Sequence, residues 1–122
     1  MRDFRKYQVW DDAISLVTDI YSLLRDFPTY ERYALSDQIR RSSVSIASNI
    51  AEGASRESKK DFSHFLQISV GSAFELETQL IIASNLNYIS QDQLTNILDK
   101  LVYIEKRLSR LISILRNDSP KN

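Results

Sequence analysis

Few side chains in this sequence have the types and spacing that metal binding requires. His64 is the only histidine, and Asp61 precedes it by one helical turn, which would bring a carboxylate beside an imidazole. Metal-binding helical bundles use such a Glu-x-x-His pair twice and add glutamates from two other helices. Here the pair occurs once, with aspartate, and helical phase directs His64 away from the apolar face. We therefore predict no metal site and no cofactor, with His64 solvated.

Side chains suited to acid-base or nucleophilic catalysis are present but are not arranged for it. Glu75 and Glu77 lie two positions apart, so on a helix they point to different sides and cannot form a general acid/base pair. A group of serines lacks any activating base in the sequence, and these residues are better explained as small packing or surface residues: Ser42, Ser43, Ser45 and Ser48. The glycine patterns of phosphate-binding loops do not occur. The sequence predicts no enzymatic activity.

The elements that would position any site are predicted to be long helices. The 122 residues include no Cys and only two Gly and two Pro. A protein with many strands and turns would contain more Gly and Pro. Apolar residues recur at alternating steps of three and four in segments of about 7–27, 36–53, 58–86 and 90–117. Short connections make sequential neighbours antiparallel. We predict a single domain, 1–122, of all-α class, folded as an antiparallel up-down-up-down four-helix bundle.

The apolar spacing also predicts which side chains face the core. The first helix would use Trp10, Ala13, Val17, Ile20, Leu24 and Phe27, the second Ile39, Ser43, Ile46 and Ile50, the third Phe62, Leu66, Ser69, Ala73, Leu76, Leu80 and Ala83, and the fourth Leu94, Ile97, Leu101, Ile104, Leu108, Leu111 and Leu115. Ser58 and Ser90 are predicted to cap the last two helices, and Gly53 to end the second. The chain lacks an apolar leader and a run of roughly 20 apolar residues. We expect a cytoplasmic protein without membrane contact.

The second helix is filled with small residues and has more apolar surface than a lone bundle requires. Beyond its core face, Arg40, Val44, Ala47 and Ala51 form a second face about 100° away. Phe74 is one of several apolar residues outside the core face of the third helix, and Gly71 lies in mid-helix. These five residues, Arg40, Val44, Ala47, Ala51 and Phe74, are predicted to form an interface between subunits. The alternative is that the small residues serve a tightly packed pair of helices within one chain.

Charge is segregated along the chain although 16 basic and 16 acidic residues cancel. Residues 61–99 contain acids but no Lys or Arg, whereas 40–60 and 100–122 are mainly basic. The up-down topology brings the start of the first helix, the turn before the third and the end of the fourth to one end. That end would carry Arg56, Lys59, Lys60, Arg107 and Arg110, which we predict to bind nucleic acid. Positive charge at the start of a helix is disfavoured, so Lys59 and Lys60 suggest an acidic partner.

Three stretches of the sequence resemble a known family. They are FRKYQVWDDA at 4–13, QIRRSSVSIASNIAEG at 38–53 and SRESKKDFSHFLQISVGSAFELETQL at 55–80. Together they are similar to the bacterial four-helix-bundle proteins encoded in intervening sequences of 23S ribosomal RNA genes. A related branch is the accessory variability determinant of diversity-generating retroelements. The resemblance implies a homopentamer with a central opening, and for the related branch it implies binding of nucleic acid and a reverse transcriptase.

Two functions remain open at this point. The first is a non-enzymatic, pentameric helical scaffold that contacts RNA or a nucleic-acid-processing partner through its basic end. The second is a protein-only assembly adaptor whose charges serve solubility, which the net charge of zero favours. The salt dependence of RNA binding distinguishes them, because phosphate contacts release counterions.

Overall fold

The computed structural model describes residues 2–117, and within them the fold is built from helices. The four α-helices are α1 (Gln8–Leu24), α2 (Leu35–Ala54), α3 (Lys59–Asn85) and α4 (Gln91–Asn117). Short 3₁₀ turns at Phe4–Lys6 and Thr29–Glu31 precede α1 and α2. The predicted all-α class with four helices is confirmed. No helix in the described part of the chain is long and apolar enough to cross a membrane.

The ends of the helices are set by local hydrogen bonds and not by the apolar pattern. The Ser58 hydroxyl accepts from the Asp61 amide at 3.0 Å, as predicted for the start of α3. Ser90 and Gln93 form the predicted reciprocal capping box at the start of α4. The first helix ends at Leu24, before the predicted end at 27, because a 3₁₀-type bond from the Arg25 amide to Ser22 tightens its last turn.

Each helix packs against its neighbours along the chain, and α1 also packs against α4, which closes the bundle. Ser45 of α2 contacts Ser72 of α3, while Gly53, later in α2, lies against Phe62, earlier in α3. The contact therefore runs antiparallel. On the other side, Arg107 of α4 lies beside Asp12 of α1, and Lys100 pairs with Asp19 further along α1. This contact is antiparallel as well, as an up-down-up-down bundle requires.

The small residues of α2 are explained by its contact with α3. The hydroxyls of Ser45 and Ser72 lie 2.8 Å apart, and Ser69 donates to the Ile46 carbonyl at 2.9 Å. A Cβ built on Gly53 would lie 2.8 Å from a Phe62 ring carbon and 2.9 Å from the Phe65 Cβ. Gly53 is not the predicted helix end, because it lies within α2 and the cap follows at Ser55. It is there because only a residue without a side chain fits between the two helices.

The core faces of α2 and α3 are buried as predicted, whereas those of α1 and α4 are displaced in part. In α1, Val9 and Leu16 are buried while Trp10 and Val17 are half-buried. In α4, Ile112 is buried instead of Leu111. An α-helix has about 3.6 residues per turn, so residues that repeat strictly every seven positions drift slowly around its surface. The residues that face the core therefore differ by one position from those that the seven-residue pattern selects.

Candidate nucleic-acid interface

The N-terminal segment joins the α2–α3 connection at one end of the bundle. The Arg2 side chain donates to the Arg56 carbonyl at 2.7 Å, and its guanidinium lies 5.0 Å from the centre of the Phe62 ring. Together with Ser55 and Glu57, these two arginines line a surface hollow of about 470 Å³. We call the end of the bundle that holds this hollow and the last turns of α4 the basic end.

A larger groove lies between α1 and α4, next to the same end. It has a volume of about 510 Å³. We call it the α1/α4 groove, and its lining residues are Tyr7, Gln8, Val9, Tyr103, Lys106, Arg107, Arg110, Leu111 and Ile114. Tyr103 is 51% exposed, so about half of its surface is open to solvent. The groove therefore combines an accessible aromatic surface with three positive charges.

The cations of the basic end differ in whether they already form ion pairs or ring contacts within the chain. Arg56 pairs with Glu52 and lies over the Phe65 ring, with 4.7 Å between guanidinium and ring centre. Arg107 stands 3.8 Å from an Asp12 carboxylate oxygen. In contrast, Lys60, Lys106 and Arg110 form no ion pair within residues 2–117. These three are therefore among the cations of this end that can meet an external anion.

The five predicted nucleic-acid-binding residues are thus divided between two surfaces of one end. Arg107 and Arg110 line the α1/α4 groove, whereas Arg56 borders the other hollow and Lys59 and Lys60 form the first turn of α3. Lys106, Tyr7 and Tyr103 were not among the residues predicted from the sequence. A signal was present, since Tyr103, Arg107, Arg110 and Ile114 recur at steps of four, three and four beside the core stripe of α4.

The predicted interface residues are not equally available to a second subunit. Ala47 is only 6% exposed, so most of its surface is already buried within its own chain and it offers little area to a second subunit. Intrachain packing was the alternative for the small residues of α2, and the burial of Ala47 favours it. Ala51 is half-buried, and Arg40 is also half-buried and bonds Asp37 at 3.0 Å. Val44 and Phe74 remain accessible, with 39% and 57% of their surfaces exposed.

The outer surface of α3 carries four large apolar side chains that the rest of the described chain leaves exposed. Ile68, Phe74, Ile81 and Ile82 are each more than a third exposed, and at about 100° per residue they fall on the outward half of the helix. Gly71 lies between them, and a Cβ built there would meet nothing within 4 Å. No other helix in the described residues therefore approaches α3 closely at Gly71. We call these five residues the α3 outer face.

Glu77 of α3 and Glu105 of α4 form a carboxylate pair that the sequence did not reveal. One Glu105 oxygen is buried without a hydrogen-bond partner in the described residues. Burial, with the charge of the neighbouring Glu77, raises the pKa of Glu105 from 4.5 to about 7. Glu75 instead accepts from Ser42 at 3.0 Å, so the two glutamates do point to different sides. Within residues 2–117, no three His, Asp or Glu side chains converge as a metal site would need.

The Glu105 pair predicts that stability falls as the pH rises toward neutrality. Because the folded pKa is about 7 and the unfolded value 4.5, the native state holds the extra proton between these values, and ionising it there is unfavourable. We expect Glu105→Gln to raise the unfolding free energy above pH 7 by on the order of 1 kcal/mol after solvent screening. Urea unfolding at about pH 5.5 and pH 8 measures this. Glu57→Gln, on the exposed surface, is the control, and an equal change in both variants would contradict the expectation.

Comparison with known proteins decides the family. The sequence profile of the 23S rRNA-intervening sequence proteins matches residues 5–110. The chain belongs to this family. As a 23S rRNA-intervening sequence protein it shares its fold with a solved protein of the S23 ribosomal protein family from Bacteroides thetaiotaomicron, whose function is described as unknown. The two sequences are 30% identical, the match covers 85% of this chain and 97% of the other, and the TM-score is 0.80. No curated protein matches the chain.

Proposed function

We propose that this 23S rRNA-intervening sequence protein is a non-enzymatic, homopentameric helical scaffold that contacts RNA through its basic end. The observation that carries the RNA contact is the α1/α4 groove. In it Lys106 and Arg110 have no acidic partner within residues 2–117 and lie beside the exposed Tyr103 ring. Unpaired cations attract phosphates, and exposed aromatic rings stack on unpaired bases, so the combination suits single-stranded RNA.

The engaged cations of the groove have a supporting role in this proposal. The Arg107 guanidinium lies 4.9 Å from the centre of the Tyr103 ring and so holds that ring against the α4 surface. Asp12 offsets part of the Arg107 charge. The net positive charge available to RNA therefore comes mainly from Lys106 and Arg110, with Lys60 added at the start of α3. Such a small number of contacts gives weak binding in one chain.

Assembly would compensate for this weakness. The α3 outer face exposes four large apolar side chains around a glycine, and an apolar patch of this kind marks a protein contact. A second copy of the chain can cover it, since Gly71 leaves room for another helix to approach closely. A ring of subunits would then repeat the basic end on one surface. Linked weak contacts bind far more tightly together than one does alone.

The RNA contact is tested by neutralising the two unpaired cations of the groove. We expect the double variant Lys106→Gln with Arg110→Gln to lose at least about tenfold in affinity for single-stranded RNA at low salt, because two phosphate contacts disappear. Helicity should remain, since both side chains are exposed and surface changes usually alter stability by about 0.5 kcal/mol or less. Filter binding measures the affinity and circular dichroism the helicity.

The matched control removes two cations from the opposite end of the bundle. Arg25→Gln with Arg32→Gln changes the net charge by the same amount, and both side chains are exposed. We expect this pair to keep RNA affinity within about twofold, because its charges lie near the end of α1 and start of α2. Equal losses from the two pairs would show that RNA responds to overall charge, not to the α1/α4 groove.

A protein-only adaptor is the second candidate, and the α3 outer face favours it. This face supports assembly without any contribution from the basic end. The two functions separate in one measurement. If wild-type protein assembles but retains no RNA at low salt, the adaptor holds and the RNA contact is wrong.

A further inference from the structure

A second hollow lies at the end of the bundle opposite the basic end. It has a volume of about 280 Å³ and opens where α1 passes into α2. Three arginines and two hydroxyl residues line it, and we call it the arginine pocket: Arg25, Thr29, Arg32, Ser36 and Arg40. No function described so far uses these residues together. Arg25 directly follows α1, Thr29 begins the 3₁₀ turn Thr29–Glu31 and Arg32 directly follows it, and the other two lie in the first turns of α2.

The segment that carries these residues is held in place by a tyrosine from the α3–α4 connection. The Tyr88 hydroxyl donates to a Glu31 carboxylate oxygen at 2.9 Å, and the Tyr88 ring packs against Phe27, with 5.4 Å between ring centres. The other Glu31 oxygen accepts from the Leu35 amide at 3.4 Å. These contacts tie the 3₁₀ turn to the start of α2, so Arg32 and Ser36 are positioned by the fold.

The pocket contains donors that the chain itself does not satisfy. Ser36 is 5% exposed and lines the pocket, yet its hydroxyl has no hydrogen-bond partner within residues 2–117. Helix α2 has no side-chain cap, and the Ser36 and Asp37 amides in its first turn have no acceptor in the described residues. Donors that find no acceptor within the chain are available to an external one at the pocket.

The charges around the pocket are also favourable to an anion. Arg25 and Arg32 form no ion pair in the described part of the chain. Arg40 bonds Asp37 at 3.0 Å, so that its charge is offset while those of the other two are not. The N-terminal end of α2, a helix of 20 residues, adds a partial positive charge of roughly half a unit. Guanidinium groups and helix amides together match the oxygens of a phosphate.

We propose that the arginine pocket binds a phosphate group, either free inorganic phosphate or a small phosphate monoester. Arg25 and Arg32 would contact its oxygens while the Ser36 hydroxyl and the first amides of α2 donate to it. The volume of about 280 Å³ lies at the lower limit for ligand pockets, which run from roughly 300 to 1,000 Å³, so a small ligand is selected. The proposal is independent of the RNA contact, which uses the other end of the bundle.

The test is a titration of the full chain with inorganic phosphate at constant ionic strength. In two-dimensional NMR we expect saturable shifts of the Ser36 and Asp37 amides, and calorimetry should give one phosphate per chain. Arg25→Gln with Arg32→Gln should weaken binding by about tenfold or more, and Ser36→Ala by roughly threefold. Arg41→Gln is the local control, because Arg41 is exposed on α2, also pairs with Asp37 and does not line the pocket. It should leave binding unchanged.

Several results would overturn the phosphate site. One is the absence of saturable shifts in wild-type protein up to about 10 mM phosphate, which is weaker than a specific site would bind. Another is an equal effect of acetate or chloride, which would indicate general screening. Shifts confined to Lys106 and Arg110 would place the anion at the basic end instead. Glycerol phosphate distinguishes the two ligands: binding equal to that of inorganic phosphate supports a monoester, and weaker binding supports the free ion.

Discussion

Replacing Gly53 with alanine should destabilise the fold by about 2 kcal/mol, because the helices leave no room for one more carbon atom there. The new Cβ would come within 2.8 Å of a Phe62 ring carbon and 2.9 Å of the Phe65 Cβ. Phe62 is completely buried, so its ring cannot move away without displacing neighbouring core side chains. The Phe62 carbonyl, 3.2 Å away, also prevents a simple slide of the helix. Urea unfolding followed by circular dichroism measures the loss.

Gly71 provides the matched control for this substitution. It also lies inside a helix, but a Cβ there would meet nothing within 4 Å. Gly71→Ala should therefore stabilise the monomer by about 0.5–1 kcal/mol through helix propensity alone. Stabilisation by both substitutions would contradict the close approach of α2 and α3 at Gly53. Destabilisation by both would show that the outer surface of α3 is not open in the monomer.

Replacing Phe74 with aspartate should convert the assembly into folded monomers. Phe74 is 57% exposed in the single chain and is the most exposed apolar residue of the α3 outer face. An aspartate there costs the monomer little, because its charge stays in water. In a covered interface the same charge would be buried without a partner, which typically costs several kcal/mol per contact. Light scattering with size-exclusion chromatography measures the mass, and circular dichroism confirms that helicity remains.

Two further variants separate assembly from folding. Tyr33→Asp changes a side chain that is 88% exposed and outside α3, so it should leave the mass unchanged. Leu101→Asp places a charge where the side chain is fully buried in the intrachain core, and it should unfold the chain rather than release monomers. A wild type that is already monomeric would show that the α3 outer face does not join copies of this chain, and so would a Phe74→Asp variant that stays assembled.

The apolar pattern predicted the fold well because burial and helical period agree over most of the chain. Phe62, Leu66 and Leu76 of α3 lie in the core, as the three-four spacing indicated. The sequence did not determine which face of α1 points to the core. Val9 and Leu16 are buried there, in place of the predicted Trp10 and Val17. Both choices satisfy the same spacing, and only contact with neighbouring helices decides between them.

The sequence could not show whether the small residues of α2 contact a helix of the same chain or of another subunit. Ala47 and Gly53 have the composition of a close helix contact, but composition does not tell whether the other helix belongs to the same chain. The structure shows the α2–α3 contact for Gly53 and burial for Ala47. Phe74 lies on a different helix from the small residues, and its exposure is what identifies it as available to a partner.

Sites built from distant segments were also beyond sequence reasoning. Glu77 and Glu105 meet only because α3 and α4 pack together, and neither has a helical neighbour of the same kind to indicate a pair. The arginine pocket likewise combines Arg25, Arg32 and Arg40 from three elements. The clustering of basic residues at the basic end was predictable, because the up-down order of the helices determines which helix ends lie side by side. Which cations are unpaired there depends on side-chain geometry.

The most direct test of the RNA contact is the salt dependence of RNA binding by the wild-type protein. We expect single-stranded RNA to be retained at low salt, and the logarithm of the affinity to fall linearly with the logarithm of the salt concentration. Removing the Lys106 and Arg110 charges should make this slope shallower, because fewer counterions are displaced. The absence of RNA binding at low salt, or the same slope with and without these two charges, would contradict the assignment of the α1/α4 groove as the RNA contact.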